Sequence, residues 1–123
     1  MAHWVKENQP EIWAKTAKYV NISTYLNYKL MGNLIDSVAG YVGHYPTDHK
    51  KRKWHKIKSM MGCLFGISES QLCEVKQPGE PLGVIKEEFA NQVGLPKGIV
   101  LYASGPDKGC ETIGLGALSP TIA

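Results

Sequence analysis

The stretch from Gly98 to Gly116, GIVLYASGPDKGCETIGLG, limits the fold more narrowly than any other part of the sequence. It opens with an apolar run, Ile99 to Ala103, that contains two β-branched residues and a tyrosine. A run of this length, bounded by glycine and by Gly105-Pro106, predicts a strand buried on both faces. The apolar positions that follow lie at roughly helical spacing: Cys110, Ile113 and Ala117. The sequence therefore predicts a strand, a tight turn and a helix that begins near Asp107.

Asp107 stands where such a unit places ligand-binding residues. In open α/β sheets, ligand sites lie just beyond the carboxyl ends of the strands. One interpretation of Asp107 is a helix cap, whose carboxylate accepts hydrogen bonds from the first amide groups and contributes about 0.5–2 kcal/mol. The other is a general base aimed into a cleft. Capping is the commoner reason for an aspartate at such a position, and the two roles are compatible.

The glycines around Asp107 do not form a recognised nucleotide loop. Gly114-Leu115-Gly116 is an incomplete dinucleotide fingerprint, and it falls late in the predicted helix rather than in the turn. The sequence also lacks the GxxxxGK(S/T) pattern, so these residues do not contain a Walker-type phosphate loop.

Three spaced segments resemble the N-terminal domain of the FGGY family of carbohydrate kinases, which includes xylulose, gluconate and glycerol kinases. GLPKGIV at Gly94–Val100, followed by Gly105-Pro106-Asp107, resembles the family's segment GLP-x-G-x-x-V-x-x-G-x-x-D. Upstream, KQPGEPLG at Lys76–Gly83 resembles its P-G-x-x-x-G loop, and YLNYKLMG at Tyr25–Gly32 resembles its DYL-x-x-x-LTG helix end. The segments occur in the family's order and together span most of the chain, from Tyr25 to Asp107.

This resemblance implies an α/β fold: a partial ribonuclease H-like (actin-like ATPase) domain of a sugar kinase, with helices packed on a small sheet. It implies transfer of the γ-phosphate of ATP to a sugar or polyol hydroxyl, with ATP and Mg²⁺ as cofactors. The family's motif aspartate is catalytic, which carries the role of general base onto Asp107. Gly105, Asp107 and Lys108 are the expected substrate-binding residues, and no metal ligand is expected. Lys108 departs from the family's usual Gln or Asn and is predicted to pair with Glu111.

A shorter segment, Ile35–Ala39 (IDSVA), resembles the family's tD-x-x-x-A segment near the sugar cleft. The resemblance carries no particular sugar contact onto any of these residues. From the residues themselves, Asp36 or Ser37 is predicted to cap a short helix that runs to Gly40, with Asp36 as the preferred cap.

The resemblance also implies that residues 1–123 are a single fragment, the C-terminal part of the FGGY N-terminal, sugar-binding domain. The family's Asp-Gly-Thr phosphate loop and its ATP-binding domain are not found in this sequence. The fragment alone is therefore expected to be inactive, to bind no cofactor, and to self-associate through uncovered strand edges and apolar faces. The alternative is a small stand-alone α/β binding or regulatory protein without catalysis. The codons on either side of the reading frame distinguish the two.

Composition limits the partners and the compartment. A chain of 123 residues with 43% hydrophobic and 20% charged residues is ordinary for one small domain. A net charge of +3 does not by itself indicate nucleic acid. No apolar run approaches the roughly 18 residues that span a bilayer, and residues 1–13 lack a signal-peptide core. We therefore expect no nucleic-acid or membrane partner and a cytoplasmic location, with the three cysteines reduced and mostly buried.

Residues His44–Lys58, HYPTDHKKRKWHKIK, carry much of the positive charge. One interpretation is a nucleic-acid patch in which Trp54 stacks on a base. The other is a solvated loop with Trp54 packed beneath it, which we favour because Trp54 alone interrupts the basic run from Lys50 to Lys58 with a large aromatic ring and the chain as a whole is only weakly basic. The irregular spacing of the histidines, without a cysteine or carboxylate at helical spacing, argues against a metal site.

The remaining elements are predicted from periodicity and turn residues. Pro10 suits the first turn of a helix through Lys15. Tyr19–Ile22 is a β-rich run, and Ser23 or Thr24 is predicted to cap a helix that ends at Gly32. The other predictions are an amphipathic helix at Ile57–Phe65, one turn at Ser68–Leu72, a loop at Val75–Pro81, a strand at Leu82–Ile85, and a helix at Lys86–Val93 with Phe89, Ala90 and Val93 inward.

Overall fold

The computed structural model describes residues 2–43, 45–56, 58–117 and 119, and helices and strands are mixed along the chain. The α-helices are α1 (Ala2–Asn8), α2 (Pro10–Lys15), α3 (Ile22–Met31), α4 (Met60–Phe65), α5 (Glu87–Val93) and α6 (Asp107–Gly114). The strands are β1 (Ile35–Ser37), β2 (Thr47–Asp48), β3 (Lys53–Trp54), β4 (Glu74–Lys76), β5 (Pro81–Val84) and β6 (Val100–Tyr102). Short 3-10 helices lie at Val38–Tyr41 and Glu69–Gln71. This mixture confirms the α/β class.

Within the described residues the strands pair two by two. β1 runs parallel to β4, with Asp36 opposite Val75. β2 and β3 form an antiparallel hairpin, and β5 pairs antiparallel with β6 around an irregular register between Pro81 and Gly83. β4 extends into the region predicted as a loop, because β1 supplies a neighbouring backbone that local sequence does not reveal.

The strand predicted before Asp107 forms, but it is not buried on both faces. In β6, Val100 is 39% exposed and Tyr102 is 62% exposed, while Leu101 packs against the core. The prediction of two buried faces was wrong because a short apolar run does not distinguish a central strand from an edge strand. Among the described residues, β6 pairs with β5 only.

Buried apolar side chains tie the elements together. One cluster joins α3, β1, β5 and the end of β6 through Met31, Ile35, Leu82 and Ala103. Another is formed by Ala2, Ile67 and Leu72, with Trp13, Tyr19, Tyr45, Trp54 and Phe65 packed against it. The first cluster fixes β1 against the carboxyl end of β6, which is the neighbourhood of Asp107.

Helix boundaries in the first third of the chain follow the turn chemistry only in part. α2 begins with Pro10, as predicted, and α3 ends at Gly32, whose φ of +90° is the left-handed conformation that glycine favours. The β-rich run at Tyr19–Ile22 forms no strand, because Ile22 already begins α3. The prediction of Ser23 or Thr24 as the cap was wrong: Asn21 is the N-cap residue, and both hydroxyls are bonded elsewhere.

The basic stretch contains the β2–β3 hairpin. In its turn, Oδ1 of Asp48 accepts hydrogen bonds from the backbone N–H groups of Lys50 and Lys51 at 3.1 and 3.0 Å. The backbone hydrogen bond from Lys51 is the main reason that the pKa of Asp48 lies below its ordinary value. Trp54 is half-buried against Tyr41, which confirms the packing predicted for it. His44 and Ile57 lie outside the described residues.

The elements between the hairpin and β6 match the predictions in part: α4 covers Met60–Phe65 of the helix predicted at Ile57–Phe65, and β4 occupies the start of the predicted loop. The turn predicted at Ser68–Leu72 is confirmed and carries a capping box between Ser68 and Gln71. β5 and α5 are also confirmed, although Val93 is exposed rather than inward because it lies at the last turn of α5.

The cysteines are less buried than expected. Cys73 is buried, whereas Cys63 and Cys110 are exposed, so the prediction of mostly buried thiols was wrong. Cys110 is exposed because α6 presents few buried positions to the core. None of the helices in the described part of the chain is long and apolar enough to cross a membrane.

Candidate functional site

Asp107 is the first residue of α6 and is exposed. Pro106 occupies the N-cap position with φ of −67° and ψ of 149°, and no side chain caps the helix. The capping interpretation of Asp107 is therefore wrong in position, since the proline precedes it at the cap. Its Oδ1 accepts a hydrogen bond of 2.8 Å from the backbone N–H of Lys108, which leaves the rest of the carboxylate on the surface.

The loop that leads from β6 to Asp107 is anchored at its start by backbone hydrogen bonds. The N–H of Ala103 donates to the carbonyl oxygen of Glu80, and the N–H of Gly79 donates to the carbonyl oxygen of Ala103, each at 2.8 Å. Ala103 is also buried in the core cluster with Ile35. The backbone at the carboxyl end of β6 is thus fixed both by packing and by hydrogen bonds.

The carboxyl ends of β1 and β6 are joined directly by side chain and backbone. The hydroxyl of Ser37, the last residue of β1, donates a hydrogen bond of 2.5 Å to the carbonyl oxygen of Ser104. Ser37 is 3% exposed. The same hydroxyl accepts a hydrogen bond of 3.3 Å from the N–H of Ala39 and caps the 3-10 helix that follows. The structure thus brings Ser37 to the loop that carries Asp107.

Asp36 is a buried carboxylate beside Ser37, and it holds α3 against β1. Its Oδ2 accepts hydrogen bonds from the hydroxyls of Ser23 at 2.5 Å and Thr24 at 2.7 Å. Its Oδ1 accepts from the N–H of Ser37 at 2.7 Å and from the side-chain amide of Asn27 at 3.3 Å. Asp36 and Ser37 were the two predicted caps of the short helix. Ser37 is the cap, because the carboxylate of Asp36 is occupied by α3.

Tyr41 extends this network into the aromatic part of the core. Its hydroxyl shares a hydrogen bond with that of Thr24 and accepts one of 3.2 Å from the thiol of Cys73. Burial, followed by the Cys73 hydrogen bond, raises the pKa of Tyr41 far above its ordinary value. Burial likewise raises the pKa of Cys73. Both groups therefore stay protonated and act as structural donors and acceptors.

Comparison with known proteins identifies the family. Residues 1–114 match the FGGY family of carbohydrate kinases, N-terminal domain. The chain belongs to the FGGY family. Curated relatives of this FGGY chain are kinases, and the chain spans between 21% and 23% of the length of the three described next.

The chain is 33% identical over 117 residues to an autoinducer-2 kinase of Klebsiella pneumoniae subsp. pneumoniae, which covers 94% of this chain and 21% of that protein. It is 32% identical over 107 residues to an uncharacterized sugar kinase of Escherichia coli (strain K12), covering 87% of this chain and 22% of that protein. It is 25% identical over 119 residues to the xylulose kinase of Lactococcus lactis subsp. lactis, covering 97% and 23%.

Solved structures agree on the fold. A ligand-bound xylulose kinase from Lactobacillus acidophilus superposes with a TM-score of 0.81 at 22% identity, over 94% of this chain and 23% of that one. A gluconate kinase from the same species superposes with a TM-score of 0.80 at 23% identity, over 93% and 23%. The FGGY chain thus has the sugar-kinase fold that its motifs implied.

The other predicted site residues of this FGGY chain lie around Asp107 on the surface. Nζ of Lys108 forms an ion pair of 3.0 Å with Oε2 of Glu111, as the i, i+3 spacing predicts. Gly105 lies in the loop, where a Cβ would meet Sγ of Cys110 at 3.5 Å, an ordinary contact distance. Steric need therefore does not explain a glycine at this position.

Neither a candidate metal site nor a well-formed cavity is found at Asp107 among the described residues. The described residues contain no cluster of three or more His, Cys, Asp or Glu side chains that could hold a metal ion. A cavity of about 650 Å³ is lined by His3, Tyr45, Phe65 and neighbouring residues, and Asp107 is not among them. Sequence reasoning considered Ser37 only as a helix cap, and the hydrogen bond that joins Ser37 to Ser104 has no local sequence signal because the two residues are 67 positions apart.

Proposed function

We propose that this chain is the sugar-side part of an ATP-dependent carbohydrate kinase, in which Asp107 accepts the proton of the attacking sugar or polyol hydroxyl. The observation that carries the proposal is the position of Asp107. It is exposed at the first residue of α6, directly after the anchored carboxyl end of β6. A carboxylate held in this way is available to a substrate, while its backbone is fixed.

Besides the general base, phosphoryl transfer requires few reactive side chains from the sugar-binding part of a kinase. Phosphoryl transfer depends mainly on positioning and on stabilisation of charge rather than on covalent steps by the protein. Gly105 and Lys108 flank Asp107 and are proposed to contact the substrate. The first backbone N–H groups of α6 are oriented favourably towards negative charge at the helix N-terminus.

ATP and Mg²⁺ are proposed as the cofactors of the complete kinase. Magnesium bound with ATP supplies charge neutralisation at the transferring phosphate. The described residues offer no cluster suited to the metal, so no step at this site is assigned to it. We propose that residues 1–123 are a single segment, the C-terminal part of the N-terminal, sugar-binding domain, and that the kinase is cytoplasmic.

The test is the variant Asp107→Asn in the complete polypeptide encoded by the gene that contains residues 1–123. Asparagine preserves the size and local hydrogen bonding of aspartate but does not accept the proton. We expect kcat to fall by about 10²–10⁴, with the KM for the sugar and the melting temperature nearly unchanged. The assay couples ADP release to a panel of pentoses, hexoses and polyols.

Glu88→Gln is the matched control. It removes another exposed carboxylate, in α5, that has no part in the proposed site. We expect its turnover to remain near that of the wild type. A fully active Asp107→Asn enzyme would end the assignment of the base.

The isolated chain of 123 residues is proposed to be inactive and to self-associate. Its α3 exposes Ile22 (75%), Tyr25 and Leu26 to solvent, and exposed apolar surface of this kind favours association. ADP release above background by the purified chain would contradict the first expectation. Light scattering that shows a monomer at high concentration would contradict the second.

A further inference from the structure

The backbone just before Asp107 is held at only a few points. Ala103 is fixed by hydrogen bonds with Gly79 and Glu80. Pro106 has φ of −67°, which its ring holds near that value. Between these residues, the carbonyl oxygen of Ser104 accepts a hydrogen bond from Ser37. The hydroxyl of Ser37 is thus the anchor nearest to Asp107 that comes from a different strand.

Ser37 is itself rigidly placed. Its backbone N–H donates to Oδ1 of Asp36 at 2.7 Å, and its hydroxyl accepts from the N–H of Ala39. That incoming hydrogen bond directs the hydroxyl proton away from Ala39 and towards Ser104. Asp36 is in turn hydrogen-bonded to Ser23 and Thr24 of α3. Ser37 is therefore held in place by a hydrogen-bond network that joins β1 to α3.

We propose that Ser37 is a positioning residue for Asp107. It acts through Ser104 and sets the height and direction of the loop from which α6 begins. This inference rests on the proposed function of Asp107 as the base. A general base works only within hydrogen-bond reach of its proton, so a small displacement of the loop lowers the rate more than it lowers substrate affinity.

The main variant is Ser37→Ala, made in the complete polypeptide. It removes the hydroxyl and frees the carbonyl of Ser104. We expect kcat to fall by about 10- to 100-fold, with the KM for ATP unchanged. Amide hydrogens of residues 104–108 are expected to exchange faster in the variant, while those of α3 keep their protection.

Ser68→Ala is the matched control. Ser68, like Ser37, is the N-cap residue of a 3-10 helix, but its hydroxyl bonds within the Ser68–Gln71 turn and does not reach the Asp107 loop. We expect kcat and exchange at residues 104–108 to match the wild type. Equal kcat and equal loop exchange in Ser37→Ala and Ser68→Ala would overturn the proposal.

Ser37→Cys decides the question if Ser37→Ala does not fold. The thiol is close in size to the hydroxyl but is a weak donor, so kcat is expected to lie below that of the wild type. Full activity and unchanged loop exchange in Ser37→Cys would overturn the proposal.

The two proposals fail separately. If Ser37→Ala loses loop protection but Asp107→Asn is fully active, Ser37 anchors the loop and Asp107 is not the general base. If Asp107→Asn loses activity but Ser37→Ala has no effect, Asp107 is the general base and Ser37 does not position it.

Discussion

The indole Nε1 of Trp54 donates a hydrogen bond of 2.9 Å to the carbonyl oxygen of Cys73. The ring also stands edge-on to that of Tyr41, with the ring centroids 4.9 Å apart. These contacts fasten β3 to the segment that enters β4. The basic stretch is therefore attached to the core by its tryptophan, while its lysines remain in solvent.

Trp54→Phe is expected to destabilise the fold. The phenyl ring keeps part of the aromatic packing but leaves the carbonyl of Cys73 without its donor, which costs about 1–3 kcal/mol. Urea denaturation followed by circular dichroism measures the change. Trp4→Phe, at a side chain that is 56% exposed, is the control and should stay within about 0.5 kcal/mol of the wild type. Equal stability of the two variants would show that the indole hydrogen bond contributes nothing.

The sequence predicted the solvent exposure of the basic stretch and the packing of Trp54 beneath it, but not the hydrogen-bond partner of Trp54. Charged residues in a turn-rich stretch predict solvent exposure, and Trp54 was correctly expected beneath them. The partner of its N–H is a carbonyl 19 residues away, and a contact of that separation has no local pattern. The same limit applies to β4, which depends on the distant strand β1 for its hydrogen bonds.

Asp36→Ala is expected to lower stability more than any surface change. It leaves the buried hydroxyl of Thr24 without its acceptor, which costs about 1–3 kcal/mol, whereas the exposed Ser23 can bond to water instead. Thermal and urea denaturation measure the effect. Glu88→Ala, at an exposed position in α5, is the control and should be nearly neutral. An Asp36→Ala protein as stable as the wild type would show that the network is not needed to hold α3.

Burial of the Cys73 thiol is expected to make the fold less stable at alkaline pH. Its pKa is raised by burial above the ordinary value of 9.0, so above that pH the unfolded thiol ionises while the folded thiol keeps its proton. The unfolded state then binds fewer protons, and stability falls as pH rises. At pH values below the ordinary thiol pKa, both the folded and the unfolded thiol are protonated, and no stability is lost through this group.

The measurement for Cys73 is a series of urea melts at increasing alkaline pH. Cys73→Ala is expected to reduce the steepness of the alkaline loss, whereas Cys110→Ala, at an exposed thiol, should leave it unchanged. If both variants lose stability with the same slope as the wild type, burial of the Cys73 thiol is not its source.

Gly32→Ala is expected to destabilise the end of α3. Gly32 has φ of +90°, and an L-residue in the left-handed region costs about 1–2 kcal/mol. A Cβ would also meet Cε of Lys86 at 2.7 Å, although this flexible side chain is able to move. Gly40→Ala is the control, since φ there is not in the left-handed region and a Cβ meets nothing within 4 Å. Equal melting temperatures for the two variants would contradict the backbone argument.

The candidate site was predictable where chemistry is local. Asp107 follows a strand and begins a helix, and both features were expected from spacing and turn residues. The helix cap was misassigned because a proline and an aspartate compete for adjacent positions, and the backbone geometry that separates them is not written in residue type. The hydroxyls of Ser23 and Thr24 were wrongly predicted to cap α3 for a different reason. Their acceptor is the buried carboxylate of Asp36, which lies in β1 and has no local sequence signal.

The parallel pairing of β1 with β4 places the two ends of one long stretch of chain side by side. Residues 38–73 leave one strand and return to its immediate neighbour, so both ends of the excursion are clamped side by side. Lengthening a flexible loop whose ends are fixed costs only about 0.6 kcal/mol for each doubling. The exposed hairpin tip near Arg52, whose φ is +50°, is accordingly a place where a fluorescent tag or an inserted domain can be accommodated.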